Sequence, residues 1–169
     1  MGLSEGLLPE FDQEMAGTRE CLERVPDSKF DWKPHPKSMT LCQLALHVAL
    51  FPNWMPGILE KTTFDYAPVG GPPYQPPTVS SRAELLEIFD RDLAKAREAL
   101  KAASDADLMA TWTLLAGGKT VFAMPRIAVL RSMVLNHMIH HRAQLLVYLR
   151  LNDVPVPGLY GPSADEGTS

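Results

Sequence analysis

The chain has 169 residues, 46% of them apolar and 21% charged, the proportions of a water-soluble globular protein long enough to bury a core within a single domain spanning 1–169. A net charge of −4 without any Lys/Arg cluster argues against a partner that is nucleic acid or an anionic membrane. No stretch approaches 18 uninterrupted apolar residues, and Met1 to Glu10 lacks a basic region followed by an apolar run. Neither a membrane span nor a signal peptide is therefore expected, and the expected location is cytoplasmic.

The spacing predicts a first helix over Leu3 to Val25. Leu8, Phe11, Met15, Thr18, Leu22 and Val25 recur at three- and four-residue steps, while Glu10, Asp12, Glu14, Arg19, Glu20 and Glu23 fall mostly elsewhere on the wheel. Pro26 stops it, and the two prolines of the following F-D-W-K-P-H-P-K-S-M-T give an extended connection, with Phe30 and Trp32 expected to close one end of the helices. A second helix starts near Ser38 to Thr40, with Thr40-x-x-Gln43 as its capping box. Leu41, Leu44, Val48 and Phe51 form its apolar stripe and His47 sits beside them; Pro52 and Pro56 kink or restart it before Lys61. Cys21 and Cys42 have no motif spacing and read as small core residues rather than a disulfide.

From Thr62 to Val79 five prolines and two glycines argue against regular structure. A connection this long is unusual in a small domain, and it suits a crossover joining two parallel helices of a four-helix bundle. The third helix, about Ser81 to Ala103, opens with Ser81-x-x-Glu84 as a capping box and carries Leu85, Phe89, Leu93, Ala96 and Leu100 on its core face. After Ser104 comes a connector in which strand-like residues flank Gly117-Gly118, a short β-hairpin signal. The tail from Asn152 to Ser169 is rich in Pro and Gly and is expected to fray at its polar end.

The stretch from Met124 to Leu151 reads as one long fourth helix, with Pro125 in its first turn and Ile127, Leu130, Val134, Leu145 and Tyr148 as its buried stripe. It holds three of the five histidines: His137, His140 and His141. His137 and His141 stand four apart, one turn above the other, as two imidazoles sharing a metal ion need to be. The plainer alternative is that each is a hydrogen-bonded core residue. His47 weighs against it, because a polar ring among apolar positions of a second inward-facing helix needs a partner. His47, His137 and His141 are thus the candidate metal ligands, with His140 at the surface or behind them. Imidazole suits zinc, nickel, copper and iron alike, so a divalent ion is expected without its identity being fixed; zinc and nickel lead, with iron and manganese as alternatives.

W-K-P-H-P-K-S-M-T-L-C-Q-L-A-L-H-V-A (Trp32 to Ala49), L-N-H-M-I-H-H-R-A-Q-L-L-V-Y-L-R (Leu135 to Arg150) and the following V-P-V-P-G-L-Y-G-P-S resemble the DinB-like superfamily, which includes YfiT-like metal hydrolases and thiol S-transferases. The resemblance implies an all-α four-helix bundle with a long crossover between helices 2 and 3, often a homodimer, and a divalent metal held by His47, His137 and His141. Ala143 departs from the Gly that relatives often carry there. Two activities are implied for a small-molecule substrate: conjugation of a low-molecular-weight thiol to an electrophile, or hydrolysis by a metal-activated water. A third reading is a non-enzymatic metal-binding protein of a stress response. The absence of Glu or Asp on the predicted inner faces near the three histidines removes the general base that hydrolysis usually wants and favours the transferase. Trp54, Tyr74 and Tyr160 are candidates to line the opening.

Overall fold

In a computed structural model, residues 2–72 and 74–166 are described. The chain is mostly helical, at 57%, with one small mixed sheet, so the expected all-α class needs that sheet added. Helix α1 spans Leu3–Glu23 and buries Leu7, Phe11, Met15, Thr18 and Leu22. Its inward face is rotated slightly from the expected one: Leu7 rather than Leu8 is fully buried, and Glu14 turns into the core. The cause is a partner far along the chain, Arg142 of the last helix.

Helix α2, Leu41–Ala49, carries the reciprocal cap expected of Thr40 and Gln43, each side chain bonding the other's backbone N–H. Its stripe of Leu41, Leu44, Val48 and, beyond it, Phe51 is buried. The chain does not kink through the prolines but restarts. Leu50 interrupts the helix, and α3, Phe51–Glu60, begins with Pro52 in its first turn, where a missing N–H costs nothing. Trp32 meets Tyr148 edge-on at 5.5 Å, and Phe30 packs on the core, so both cover a helix end as expected.

The crossover is less irregular than its prolines suggest. Thr63–Asp65 forms strand β1, ahead of the first proline, and pairs in parallel with β2, Thr63 opposite Thr113. Asp65 then ties the crossover to the hairpin turn: its carboxylate accepts hydrogen bonds from the N–H groups of Ala67, Gly117 and Gly118. Helix α4, Arg82–Ala102, keeps only half of its expected box. Ser81 accepts from the Glu84 N–H, but the Glu84 carboxylate bonds Ser80 instead. On its inner face Asp92 is buried against Arg91, and Leu93 is only half-buried.

The stretch after Ser104 is not a plain connector. Ser104 and Asp107 form a capping box that starts a short helix α5, Asp105–Met109. The expected hairpin follows: β2, Thr111–Ala116, and β3, Lys119–Pro125, run antiparallel around Gly117 and Gly118, whose φ values of +59° and +75° are those of a tight turn that glycine adopts without strain. Since β3 continues to Pro125, the last helical rod starts at Arg126 rather than at Met124. It is α6, Arg126–Val129, a π-helical segment over Leu130–Asn136, and α7, His137–Arg150.

That π segment changes which residues face inward. Each of its turns holds one residue more than an α-turn, so the 100° phase carried from Ile127 is lost by His137. The buried row of the rod becomes Val129, Leu130, Val134, Met138, Arg142, Leu145 and Leu149, while Ile127 and Tyr148 are half-buried. The tail does not fray as far as residue 166: Val154, Val156 and Leu159 pack on the core, and Arg150 pairs with Asp165. The expected fraying of the final residues 167–169 lies outside the described residues. Both cysteines are free, Cys21 in the core and Cys42 half-buried. No described helix is long and apolar enough to cross a membrane.

Candidate metal centre

His47 leaves α2 from the edge of its buried stripe, His137 opens α7, and His141 follows one turn on. All three rings are half-buried, the pair on α7 lying beside the buried row of Val134, Met138 and Arg142 rather than in it. They nevertheless meet. One ring nitrogen from each lies within 4.8 Å of the other two, and among the described residues this is the cluster of His, Cys, Asp or Glu able to share an ion. The His47 ring centre stands 4.5 Å from that of His141 and 5.5 Å from that of His137, both edge-on. No carboxylate belongs to the group.

The hydrogen bonds around the rings decide which nitrogens are free. His141 Nδ1 lies 2.9 Å from Gln144 Oε1, an oxygen that only accepts, so Nδ1 carries the hydrogen and Nε2 a lone pair. The Gln144 amide nitrogen in turn donates to His140 Nε2 at 3.0 Å, which makes exposed His140 the outer end of a chain behind the site. The Met133 carbonyl, from the π segment, favours the protonated form of His137. His137 Nε2 and His141 Nε2 then face each other at 3.0 Å. At that distance one hydrogen or one cation lies between the two nitrogens. The separation suits two ligands each about 2.1 Å from one ion.

The electrostatics agree with that donor set. Burial, with the neighbouring His141 and His137 rings adding to it, pushes the His47 imidazole down to about 4. His137 is also lowered, first by burial and then by the His141 and His140 rings, with the Met133 carbonyl opposing. Near neutral pH both rings are uncharged and keep the lone pair that a metal requires. The residues therefore fit a divalent cation.

A cavity of about 140 Å³ opens beside His47 and His137 and is lined by Phe51, Trp54, Trp112 and Phe122 among others. On the other side of His47 and Trp54 lies a wider groove of about 490 Å³, bordered by Gln43 and Tyr74. Trp54 and Tyr74 thus stand at the opening, their rings 5.8 Å apart. Tyr160 does not. Its hydroxyl bonds Glu14 and Arg142 on the opposite side of α7, because the C-terminal tail returns there. Sequence reasoning also missed Gln144 and the Met133 carbonyl; H-x-x-x-H-x-x-Q placed the amide one turn beyond His141, but no spacing shows which ring atom it meets.

The sequence pattern of the DinB superfamily matches residues 10–145. No curated protein matches the chain. Among solved structures, a DinB-like protein from Bacillus cereus ATCC 10987 is similar with a TM-score of 0.69 at 23% identity, over 92% of this chain and 97% of that one. A DinB-like protein from Bacillus subtilis is similar with a TM-score of 0.70 at 17% identity, over 94% and 99%. At these identities the two structures speak for the fold alone.

Proposed function

The chain belongs to the DinB superfamily, and from that premise we propose that His47, His137 and His141 bind one divalent metal ion and that the loaded protein conjugates a low-molecular-weight thiol to electrophiles. The observation that carries the reading is the convergence of three imidazole nitrogens with no carboxylate among them. Three neutral ligands leave the ion its full charge and leave coordination positions for a substrate. The chemistry such an ion supplies when bound is Lewis acidity, which lowers the pKa of a thiol so that the thiolate exists at neutral pH.

The chain's own residues do the rest. Gln144 holds His141 with Nε2 turned inward. Phe51, Trp54 and Trp112 keep water from one side of the imidazoles and so reduce competition from hydrolysis. We read α1, α2 with α3, α4, and the rod from Arg126 to Arg150 as the four rods of a bundle, with the sheet as an annex at the mouth of the site. Zinc and nickel suit the imidazole set best.

Elemental analysis of the purified protein, paired with a screen of thiol conjugation to a model electrophile, tests the proposal. Wild-type protein is expected to hold about one ion per chain, and His137→Ala to lose both ion and conjugation while keeping its helical circular dichroism. Metal-dependent ester or amide cleavage without thiol would turn the assignment to a hydrolase. Tight metal binding with neither activity would leave a binding protein.

A further inference from the structure

Two spaces of unlike character meet at one imidazole. His47 and Trp54 border both the small cavity and the wide groove, so Trp54 stands as the wall between them. The small cavity is lined by Phe51, Trp112, Leu114 and Phe122, with further aliphatic residues and no Asp, Glu, Lys or Arg side chain. Among its lining side chains the nitrogen and oxygen atoms are those of the two histidines, the Tyr66 hydroxyl and the Trp54 and Trp112 indoles. Trp112 is only 3% exposed and its Nε1–H has no partner among the described residues, so this wall adds an unused neutral donor but no charge to offset that of a strongly hydrated ion.

Size and polarity together define an occupant. An apolar cavity of about 150 Å³ is known to stay dry and to accept benzene, and the present one, at about 140 Å³, is of that size. A charged molecule entering it would give up hydration without an opposite charge to meet. The groove differs: it is open and more than three times larger by volume, and Gln43 and Tyr74 on its border offer amide and hydroxyl groups to a polar molecule.

We infer that the aromatic cavity seats the electrophile, a small neutral molecule of about single-ring size, while the thiol reaches the three imidazoles from the groove beyond Trp54. The inference rests on the thiol-transfer reading and adds to it the substrate class and the side of entry. For a benzyl halide the step balances without a further reactant. The thiol gives its proton to the buffer, its sulfur forms a bond to the benzylic carbon, and the halide leaves with the electron pair of the carbon–halogen bond.

The test is direct binding of toluene and of benzoate to the full-length protein, by calorimetry, before and after treatment with a chelator. Toluene is expected to bind at least about tenfold tighter than benzoate in both states. Leu114→Trp, which fills the cavity away from the histidines, is expected to weaken toluene by about tenfold while leaving metal content unchanged. Should that variant misfold, Phe122→Ala supplies the opposite change: a larger cavity, with preference shifted from toluene to naphthalene. Toluene should also compete with benzyl chloride, and not with glutathione, in wild-type conjugation. Equal binding of benzoate, no binding of toluene, or competition of toluene with glutathione would each overturn the inference. Selective toluene binding with metal present but no conjugation of any thiol would overturn the transfer reading alone. Protein that holds no metal as purified and takes up none when zinc is added, while still selecting toluene, would overturn the metal centre and leave the cavity assignment standing.

Discussion

Gln144 shows how much of the site rests on one amide. Its oxygen fixes the hydrogen on His141 Nδ1, and its nitrogen is held by His140, so the amide cannot turn over without losing both contacts. Gln144→Ala should weaken metal binding by about 10–100-fold, measured by competition with a chromogenic chelator, whereas His140→Ala, which removes only the outer link, should cost less. Equal losses for the two variants would mean that His140 is itself a ligand. The three ligand histidines were legible in the sequence because helical spacing and an apolar neighbourhood together demand a shared partner. Gln144 was not, since the atom a ring presents depends on its rotation and tautomer, which no periodicity encodes. Tyr160 was misplaced for a related reason: an aromatic residue in a tail declares its wish to pack but not where the tail goes.

At the level of elements, the buried pair of Glu14 and Arg142 fixes α1 against α7. Arg142 is 2% exposed and Glu14 8%; the guanidinium bonds the Glu14 carboxylate at 2.6 Å, the Glu14 carbonyl at 2.8 Å and the Thr18 hydroxyl at 3.1 Å. Removing one partner strands a charge in the core, so Glu14→Ala should cost about 3–5 kcal/mol in urea unfolding, and Glu14→Leu with Arg142→Met should recover most of it. A second latch holds the tail. Hydrogen bonds from Arg150, then from the Val156 N–H, hold the exposed Asp165 carboxyl down at about 2, against 3.8 ordinarily. Because the folded value is the lower one, the latch contributes fully above about pH 4 and is lost as pH falls towards 2. The protection of the Val156 amide against exchange, relative to an unstructured amide at the same pH, should fall as pH drops through that interval and lose this dependence in Asp165→Asn. Wheel positions located most of the helical cores, yet they set Glu14 outside, because its partner lies 128 residues away. Helix α5 and strand β1 also escaped notice; five and three residues are too few to show a period.

Across the molecule, the small sheet and the crossover form one cover over the mouth of the imidazole cluster. The Gly-Gly turn was readable from its residues alone, whereas the third strand was not, since parallel pairing joins segments about fifty positions apart. The least legible feature was the π segment over Leu130–Asn136, which sequence periodicity describes as ordinary helix. Its presence makes the reading frame of the rod itself part of the chemistry. Loss of a single codon there should let the segment close into a regular α-helix, in which one residue fewer turns about as far, so that everything downstream keeps its face. His137 and His141 would stay beside His47 and Arg142 beside Glu14, whereas loss of one codon from α7 between His137 and His141 would part those two rings by about 100°. The first shortened protein should keep its ion and most of its heat resistance, while the second should remain helical and lose its ion, as metal analysis and thermal unfolding of the two would show.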